Sequence, residues 1–456
     1  MKIVVLAGSP KGEMSLTLQY AEFIRKKLPE HEFRIVQVGS RIRKLENDSA
    51  AFQGVLDEVR QADAVLWCFP VYVFLIPSQL KRFVELVFER RAAEAFAGKY
   101  AAALTTSVHF FDHTAHNYIR AIGEDLGMQA VAGFSADMED LLKPAGRDAL
   151  VAFARNFVRT IAERAPVEKA FTPVNYAVPE YRPPAIPDVP KTGTRRIVLL
   201  TDAGEGDVNL RRMTEVFAQA LPNPVEVVKL NALDIKGGCL GCCRCGEANV
   251  CVYQDDLPAL FRDKIMPADA IIFAGAIRDR YLSARWKMFF DRMFFNGHAP
   301  VLMGKQMASI VSGPLRQLPN LRQILEAESE MSRTHLAGIV TDEDADPART
   351  TALLRDLAAR LLWNIEARAQ VQPTFLGVGG HKIFRDLIYE IRFVFRADYR
   401  FYRKHGMFDY PQKNIRKRLQ SGFLSLLTAI PAFRPAFYRM ATAKMLEPFR
   451  KIVDSA

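Results

Sequence analysis

Two stretches of the chain carry the same motif at the same internal spacing. Ala62-Asp63-Ala64 is followed by Lys81, which lies 18 positions after the aspartate. Ala268-Asp269-Ala270 is followed by Lys287 at the same distance. The repeat indicates two copies of one domain. The chain has 456 residues, more than one compact core normally holds, so there is room for both copies and for an appendage.

Each copy alternates apolar strand patterns with segments of helix length. The predicted strands are residues 3–7, 33–38, 64–69, 101–105 and 130–134 in half one, and 197–201, 225–230, 270–275, 306–311 and 336–341 in half two. A last helix is predicted at residues 347–368. Such alternation is typical of α/β proteins. We therefore predict two tandem, doubly wound, five-stranded parallel sheets.

A proline-rich stretch separates the two copies, and its prolines oppose both a helix and a central strand. They are Pro173, Pro179, Pro183, Pro184, Pro187 and Pro190. The predicted domain borders are 1–166 for the first domain, 167–195 for a semi-rigid linker, 196–372 for the second domain and 373–456 for a basic, mainly helical C-terminal extension.

Most of the net charge of +11 lies in this extension. From Leu376 onward, sixteen Lys and Arg residues stand against six Asp and Glu residues, a net charge of +10. Its aromatic residues could pack onto the domains, or the segment could rest on an anionic membrane surface. Nucleic acid is not expected as a partner, because no known binding motif accompanies the charge.

No secretory leader pattern opens the chain, and no apolar run reaches the ~18 residues that a membrane-spanning helix needs. We therefore expect a cytoplasmic protein, with peripheral membrane contact through the extension as an open alternative.

The loop after the first strand is rich in groups that hold an anion. It runs from Gly8 to Thr17 and leads into a helix pattern, where unpaired backbone N–H groups attract negative charge. Ser9 and Ser15 add hydroxyl donors, and Lys11 adds a positive charge. Taken alone, this loop could equally be an ordinary turn.

Two further loops end at the same edge of the predicted sheet, where parallel sheets bind their ligands. One runs through Pro70-Val71-Tyr72 to Leu80-Lys81, and the other spans residues 105–109. Together the three loops resemble those of the NADPH-dependent FMN reductase family of flavodoxin-like proteins, over about residues 1–165. The resemblance implies that the first loop holds the FMN phosphate and that the other two flank the ring.

The resemblance assigns twelve residues of half one to FMN binding. They are Ser9, Lys11, Ser15, Leu16, Thr17, Pro70, Val71, Tyr72, Val73, Phe74, Thr106 and Ser107. Lys11 replaces the arginine that is commoner in the family, which keeps the charge and loses a bidentate contact. No side chain is assigned a catalytic role, and His109, His113 and His116 are expected to be solvated.

Five of the six cysteines lie between residues 239 and 251. Cys239, Cys242, Cys245 and Cys251 present four thiols within thirteen residues, a pattern that indicates metal or cluster ligation in a reducing compartment. The motif resembles that of the iron-sulfur flavoproteins, a branch of the same family, which implies a [4Fe–4S] cluster. Zinc and an empty remnant remain alternatives. Cys243 is interpreted as a packing residue, and Cys68, outside the cluster, as a buried one.

The corresponding loop of half two has lost its anion-binding character. Asp202, Glu205 and Asp207 stand there, and one like charge near 4 Å costs about 1 kcal/mol in water and more where solvent is excluded. Arg278 takes the position of Tyr72. We therefore expect FMN in half one alone.

The halves complement each other, because one keeps the flavin loops and the other carries the cysteines. We predict an internal pseudo-dimer, with further oligomerisation left open. The predicted function is an FMN-dependent oxidoreductase that passes electrons between NAD(P)H, or another small-molecule or protein redox partner, FMN and the cluster. A non-catalytic electron carrier or membrane-surface redox scaffold is the alternative.

Overall fold

The computed structural model describes residues 1–455, and the side chains at 438, 439, 441–446, 448 and 451 fall outside the described set. The elements of half one are β1 Lys2–Ala7, α1 Leu16–Lys27, β2 Glu32–Gln37, α2 Ile42–Asn47, α3 Ser49–Arg60, β3 Ala64–Pro70, α4 Ser78–Glu89, β4 Tyr100–Ser107, α5 Asp112–Asp125, β5 Gln129–Ala130, β6 Phe134–Asp137 and α6 Pro144–Ala162.

Half two repeats this order of elements and is followed by helices. Its elements are β7 Ile197–Thr201, α7 Val208–Ala220, β8 Val225–Lys229, α8 Asp256–Leu260, β9 Ala270–Arg278, β10 Tyr281–Leu282, α9 Ala284–Arg292, β11 Gln306–Ser312, α10 Pro319–Met331, β12 His335–Thr341 and α11 Pro347–Glu366. The C-terminal helices are α12 Phe375–Glu390, α13 Arg396–Lys404, α14 Ile415–Ala429 and α15 Arg434–Val453.

Both sheets are parallel along their main path and share one strand order. In half one the order is β2-β1-β3-β4-β5, with β6 also on β4; in half two it is β8-β7-β9-β11-β12, with a short antiparallel β10 on β9. Numbered within each half, both orders are 2-1-3-4-5, the flavodoxin-like order. The predicted fold class is confirmed.

The fifth strand of half one is broken, whereas the sequence predicts one strand at residues 130–134. β4 pairs Ala101 with Ala130 and then Leu104 with Phe134. The fifth strand therefore has one residue more than β4 over this stretch, as in a β-bulge. A Cβ at Gly133 would lie 2.6 Å from the Ala103 carbonyl oxygen. The backbone therefore approaches β4 closely at the break.

Helices cover both faces of each sheet, which is why the central strands are apolar throughout. In half one, Leu66 and Leu104 pack with Tyr20 of α1 and Phe157 of α6 in one buried cluster. A matching cluster in half two joins the sheet to α7 and α11. Cys68 is 1% exposed in the first core, as predicted.

Contacts divide the chain into two compact units, Met1–Tyr399 and the chain from Arg400 onward. The first unit holds both sheets and α12. The second holds α14 and α15. Among residues 1–455, no helix is both long enough and apolar enough to cross a membrane.

Candidate functional site

All twelve residues predicted to contact FMN line a single cavity of about 480 Å³. They come from the last residues of β3 and β4, from the loops that follow β1 and β3, and from the start of α1, so this side of the cavity lies at the carboxyl ends of those strands. The volume falls within the ~300–1,000 Å³ typical of small-molecule sites.

The first loop presents an open helix N-terminus. A short 3₁₀ turn at Gly12–Met14 leads to Ser15, the N-cap residue of α1, whose side chain caps no backbone N–H group. Ser9 and Ser15 are buried, while Lys11 is exposed and lines the cavity. Donors of this kind favour an anionic group.

A direct contact joins the first loop to the third. The hydroxyl oxygens of Thr17 and Thr106 are 2.6 Å apart and buried. Both residues line the cavity. The start of α1 and the end of β4 are therefore held at a fixed separation.

The second loop has an unusual backbone. Val73 and Phe74 have φ angles of 35° and 67°, which is rare for residues with a Cβ and especially for a β-branched one. Two backbone hydrogen bonds between Tyr72 and Leu75, of 2.8 and 3.0 Å, close the turn. Backbone strain held in this way is common beside ligand sites.

α4 and α9 pack against each other across the boundary between the halves. On each helix a buried lysine pairs with a carboxylate one turn later, Lys81 with Glu85 and Lys287 with Asp291. Each carboxylate also accepts a hydrogen bond from the first residue of the other helix. These bonds are Ala284 N to Glu85 Oε1 at 2.6 Å and Ser78 N to Asp291 Oδ2 at 2.7 Å.

The same two lysines reach the opposite half by equivalent bonds. Lys287 Nζ donates to the Tyr72 carbonyl at 2.8 Å, and Lys81 Nζ donates to the Arg278 carbonyl at 3.2 Å. Positions 81 and 287 are 206 apart, and so are positions 72 and 278. The two tandem domains therefore pair as an internal pseudo-dimer with approximate twofold symmetry.

The cysteine segment of half two lies on the wall of the half-one cavity. Cys239, Gly241 and Cys243 line it, and Gln79 Nε2 donates to the Cys239 carbonyl at 3.1 Å. Gly241 has φ +61°, and a Cβ there would overlap the Tyr72 hydroxyl. Cys243, interpreted from sequence as packing, is instead a cavity residue.

The thiols of this segment are close enough to influence one another. Burial raises the pKa of Cys245 to about 12, and Cys239, Cys242 and Cys251 add to the rise. Burial likewise raises the pKa of Cys239 to about 12, against a hydrogen bond from the Gly241 N–H to the sulfur at 3.4 Å. Without a metal these two thiols are protonated, and metal binding would release protons.

Within the described part of the chain, no three His, Cys, Asp or Glu side chains are arranged to hold a single metal ion. A cluster makes a different demand, because it spreads four cysteine ligands over several irons. The segment supplies four cysteine thiols, and the Gly241 N–H donates to the sulfur of one of them, Cys239.

Arg292 holds both ends of the cysteine segment, a role that sequence reasoning missed. Its guanidinium donates to the Gly237 carbonyl at 2.9 Å and to both Asp255 carboxylate oxygens at 2.8 Å. Burial opposes the charge, but Asp255 and then Cys251 raise the pKa of Arg292. No sequence motif surrounds Arg292, so the sequence alone does not indicate this role.

The phosphate-loop equivalent in half two binds its own side chains. Asp207 accepts from the Gly204 N–H at 2.9 Å and from Arg278 at 2.9 and 3.1 Å. Asp202 accepts a hydrogen bond from Ser283. Arg278 takes the position that Tyr72 holds in half one. It thus pairs with an acidic residue of this loop.

The rest of the cavity is lined by residues that the sequence did not single out. We call this the far wall: the lining residues within segments 290–302, 328–332 and 384–395. The last of these belongs to the predicted C-terminal extension. Its aromatic residues were visible in the sequence, but nothing there indicated which surface they cover.

The three histidines of half one differ in exposure. His109 is half exposed and pairs with Asp112 at 2.8 Å. His116 lies on α5, partly buried, with Nε2 2.8 Å from the Thr105 hydroxyl, and burial lowers its pKa. His116 is therefore less solvated than the sequence predicts.

The family model for NADPH-dependent FMN reductases matches this chain twice, at residues 1–139 and 203–338. The chain belongs to the NADPH-dependent FMN reductase family. It is an NAD(P)H-dependent flavin oxidoreductase, and the two matches fall on the two halves. An iron-sulfur flavoprotein of Archaeoglobus fulgidus is 27% identical over 212 residues, which cover 43% of this FMN reductase-family chain and 93% of that protein.

Solved structures were also compared with this member of the FMN reductase family. An NADH:FMN oxidoreductase in its apo form is 20% identical, with a TM-score of 0.31, over 35% of this chain and 89% of the other. The flavoenzyme FerB of Paracoccus denitrificans, an NAD(P)H:acceptor oxidoreductase, is 18% identical, with a TM-score of 0.30, over 36% and 97%. At these TM-scores they add nothing to the fold assignment, which rests on the strand order.

Proposed function

We propose that this oxidoreductase holds one FMN in the half-one cavity and one [4Fe–4S] cluster on Cys239, Cys242, Cys245 and Cys251, and passes electrons between NAD(P)H or a redox partner, FMN and the cluster. The observation that carries the proposal is that Cys239, one of the four proposed ligands, lines the cavity together with the predicted FMN residues. The similarity to an iron-sulfur flavoprotein supports the cluster.

The loop residues have distinct tasks in holding FMN. Ser9, Ser15 and Thr17 offer hydroxyl donors to the phosphate, and Lys11 offers a positive charge. Tyr72 and its neighbours in the strained second loop would flank the ring. When bound, FMN supplies transfer of one or two electrons, which suits exchange with both a hydride donor and a one-electron centre.

The protein around the cysteines fixes the position of the segment. Arg292 clamps its ends, and Gln79 anchors it to half one. Gly241 lets the backbone pass against Tyr72. Holding the segment in this way would keep the cluster ligands beside the flavin cavity.

The cluster is tested by anaerobic purification with analysis of iron, sulfide and flavin and an absorption spectrum. We expect about four irons per flavin in the wild type and loss of iron when Cys242 and Cys245 are changed to serine. Cys243→Ser is the matched control and should keep its iron. Full iron content in the Cys242→Ser/Cys245→Ser variant would refute the ligand assignment.

Steady-state assays with NADH and with NADPH identify the hydride donor. We expect pure, FMN-containing protein to oxidise at least one of the two nucleotides when an acceptor is added. Absence of turnover with both nucleotides would contradict the proposed electron path from NAD(P)H to FMN.

We also propose that α14 rests on an anionic membrane surface. Ile415, Leu419, Phe423 and Leu426 are spaced by three or four residues, so they share one face, and they are 62–73% exposed. The helix begins with three consecutive basic residues, 416–418. An exposed apolar face beside positive charge is the pattern of interfacial helices.

Flotation with vesicles of phosphatidylcholine alone or mixed with phosphatidylserine tests this contact. We expect flotation with the anionic vesicles, weakened by salt and lost in Leu419→Glu/Leu426→Glu. The control Leu142→Glu/Val227→Glu adds the same charge at exposed positions elsewhere and should float like the wild type. Equal flotation of both double variants would contradict the proposal.

A further inference from the structure

The turn after the third strand has the same unusual backbone in both halves. In half one, Val73 and Phe74 have φ angles of 35° and 67°. In half two, Asp279 and Arg280 have φ angles of 48° and 62°. The two pairs are 206 positions apart in the sequence, as are the other equivalent residues of the halves. Two successive left-handed residues with a Cβ are rare, so their occurrence at equivalent places points to a common cause.

The residue types within the two turns do not explain this backbone. Each pair lies between two antiparallel partners, Tyr72 with Leu75 and Arg278 with Tyr281, so it forms the two-residue loop of a tight hairpin. A loop of this kind with positive φ at both positions is normally Asn-Gly, Asp-Gly or Gly-Gly. Half one has Val-Phe instead, and half two has Asp-Arg. Contacts from outside the turns must therefore help to hold them.

Both turns share one contact from outside, and it comes from a lysine of the opposite half. The carbonyl that precedes each left-handed pair is the acceptor: Tyr72 O accepts from Lys287 Nζ at 2.8 Å, and Arg278 O accepts from Lys81 Nζ at 3.2 Å. Both lysines are 0% exposed. Because a buried ammonium group is costly without acceptors, each lysine holds its carbonyl in one orientation.

Other outside contacts of the two turns differ from one half to the other. In half one, the Thr114 hydroxyl donates to the Phe74 carbonyl. In half two, the Arg280 guanidinium pairs with Asp125 instead. The contact from the opposite lysine is thus the one that accompanies the shared backbone, whatever residues the turn contains.

In half one the turn forms part of the flavin cavity. Tyr72, Val73 and Phe74 all line it, so a change in the turn would move three lining residues together. Lys287 does not line the cavity, and its amino group reaches the site through the Tyr72 carbonyl. In half two, the equivalent lysine contact holds a turn beside a loop that carries Asp207 in place of phosphate donors.

We propose that Lys287 is a positioning residue for FMN: half two completes the flavin site of half one by fixing the turn at residues 72–74. The inference rests on the proposed function for the presence of FMN in this cavity. Lys81 makes the equivalent contact in the opposite direction, to the half that we expect to hold no flavin. The two lysines are therefore alike in structure, and only Lys287 affects the flavin.

This likeness allows a matched comparison between two double variants of the full chain. Lys287→Met/Asp291→Asn and Lys81→Met/Glu85→Gln each remove one buried lysine–carboxylate pair, so neither leaves the partner of the pair charged. In both, the new amide keeps an oxygen that accepts the N–H at the start of the opposite helix. Lys287→Met alone is the third variant, because Asp291 itself lines the cavity.

FMN dissociation is measured by the fluorescence of flavin released when the holoprotein is diluted. We expect the dissociation constant to rise at least about tenfold in Lys287→Met/Asp291→Asn and in Lys287→Met, and to stay within about threefold of wild type in Lys81→Met/Glu85→Gln. The visible circular dichroism of the flavin, recorded with FMN in excess, should change in the Lys287 variants alone. The melting temperatures of the two double variants should fall alike, which separates positioning of the flavin from loss of stability.

Two results would overturn the assignment. Equal effects of the two double variants on FMN dissociation and on the flavin dichroism would show that Lys287 acts only through general stability. An effect in Lys287→Met/Asp291→Asn without one in Lys287→Met would assign the flavin contact to Asp291.

Failure of the proposed function has a different signature. Wild-type protein that contains no FMN and does not bind added FMN would refute the flavin site itself. A flavin-loaded wild type with Lys287 variants that match the Lys81 variant would refute only the role of Lys287.

Discussion

Gly241 shows how one residue without a side chain can position a proposed cluster ligand. Its φ of +61° is a left-handed conformation that costs other residues about 1–2 kcal/mol, and a Cβ would also overlap the Tyr72 hydroxyl. The glycine thus permits the cysteine segment to lie against the cavity.

Gly241→Ala is therefore expected to lower the free energy of unfolding by at least about 1–2 kcal/mol and to reduce iron content. Urea unfolding and metal analysis measure the two effects. Gly206→Ala is the control, because a Cβ there meets nothing within 4 Å and the backbone is not left-handed. Equal stability of the two variants would mean that the segment moves away at no cost.

Glu328 should make stability depend on pH. Its pKa is raised from 4.5 to about 7 in the folded chain, so between these values the folded state holds a proton that the unfolded state has lost. Raising the pH through this window therefore favours unfolding. The resulting loss in the free energy of unfolding is below about 3 kcal/mol, because the carboxyl faces the cavity and is partly screened by solvent.

Comparing the wild type with Glu328→Gln isolates the contribution of Glu328 to the pH dependence of stability. The variant should gain in melting temperature relative to the wild type when the pH is raised from 5 to 8. A constant difference between the two proteins over that range would show that Glu328 does not titrate there.

The site residues at the ends of strands could be predicted from the sequence. The roles of residues whose partners lie far away in the sequence could not. Ser9, Tyr72 and Thr106 gather at one cavity because each lies at the carboxyl end of a parallel strand. Arg292 has no motif, and its role depends on Gly237 and Asp255, which lie 55 and 37 positions away in the sequence. The packing of the two halves was not predictable either, because it is set by buried contacts between α4 and α9, whose sequence shows only that both halves carry the same lysine.

At the scale of elements, a carboxylate on α10 helps to hold the start of α12. Glu330 caps its first turn, and Glu330→Ala should cost about 1–2 kcal/mol and loosen the helix from α10. Hydrogen exchange should become faster in residues 375–390, while Glu326→Ala should leave it unchanged. Unchanged exchange in Glu330→Ala would show that side-chain packing alone holds α12.

The alternation of strands and helices was enough to predict both sheets, because buried parallel strands read as continuous apolar runs. The break in the fifth strand of half one was not predictable. It depends on one extra residue opposite β4 and on the close approach of Gly133 to Ala103. The packing of α12 on α10 was not predicted either. The sequence of the extension is marked by its charge, whereas the close packing depends on the small residues Gly377 and Gly380.

Over the whole molecule, the two halves are expected to differ in flavin content. Asp207 and Arg278 form an ion pair in the loop of half two that corresponds to the first loop of half one. We therefore predict one FMN per chain. Release of flavin by acid and its absorbance against protein concentration measure the ratio. Arg278→Ala should leave the ratio at one, because Asp202 and Glu205 still oppose a phosphate there. Two flavins per chain in the wild type would contradict this account of half two.

The pairing of α4 with α9 has a consequence for how such a protein can change over generations. In a dimer of identical chains, every substitution appears on both sides of the interface and both sites must tolerate it. Here the two sides are encoded separately, so one could lose its phosphate loop while the other kept it. Covalent linkage also makes their encounter independent of protein concentration, so dilution does not separate the cysteine segment from the cavity that it faces.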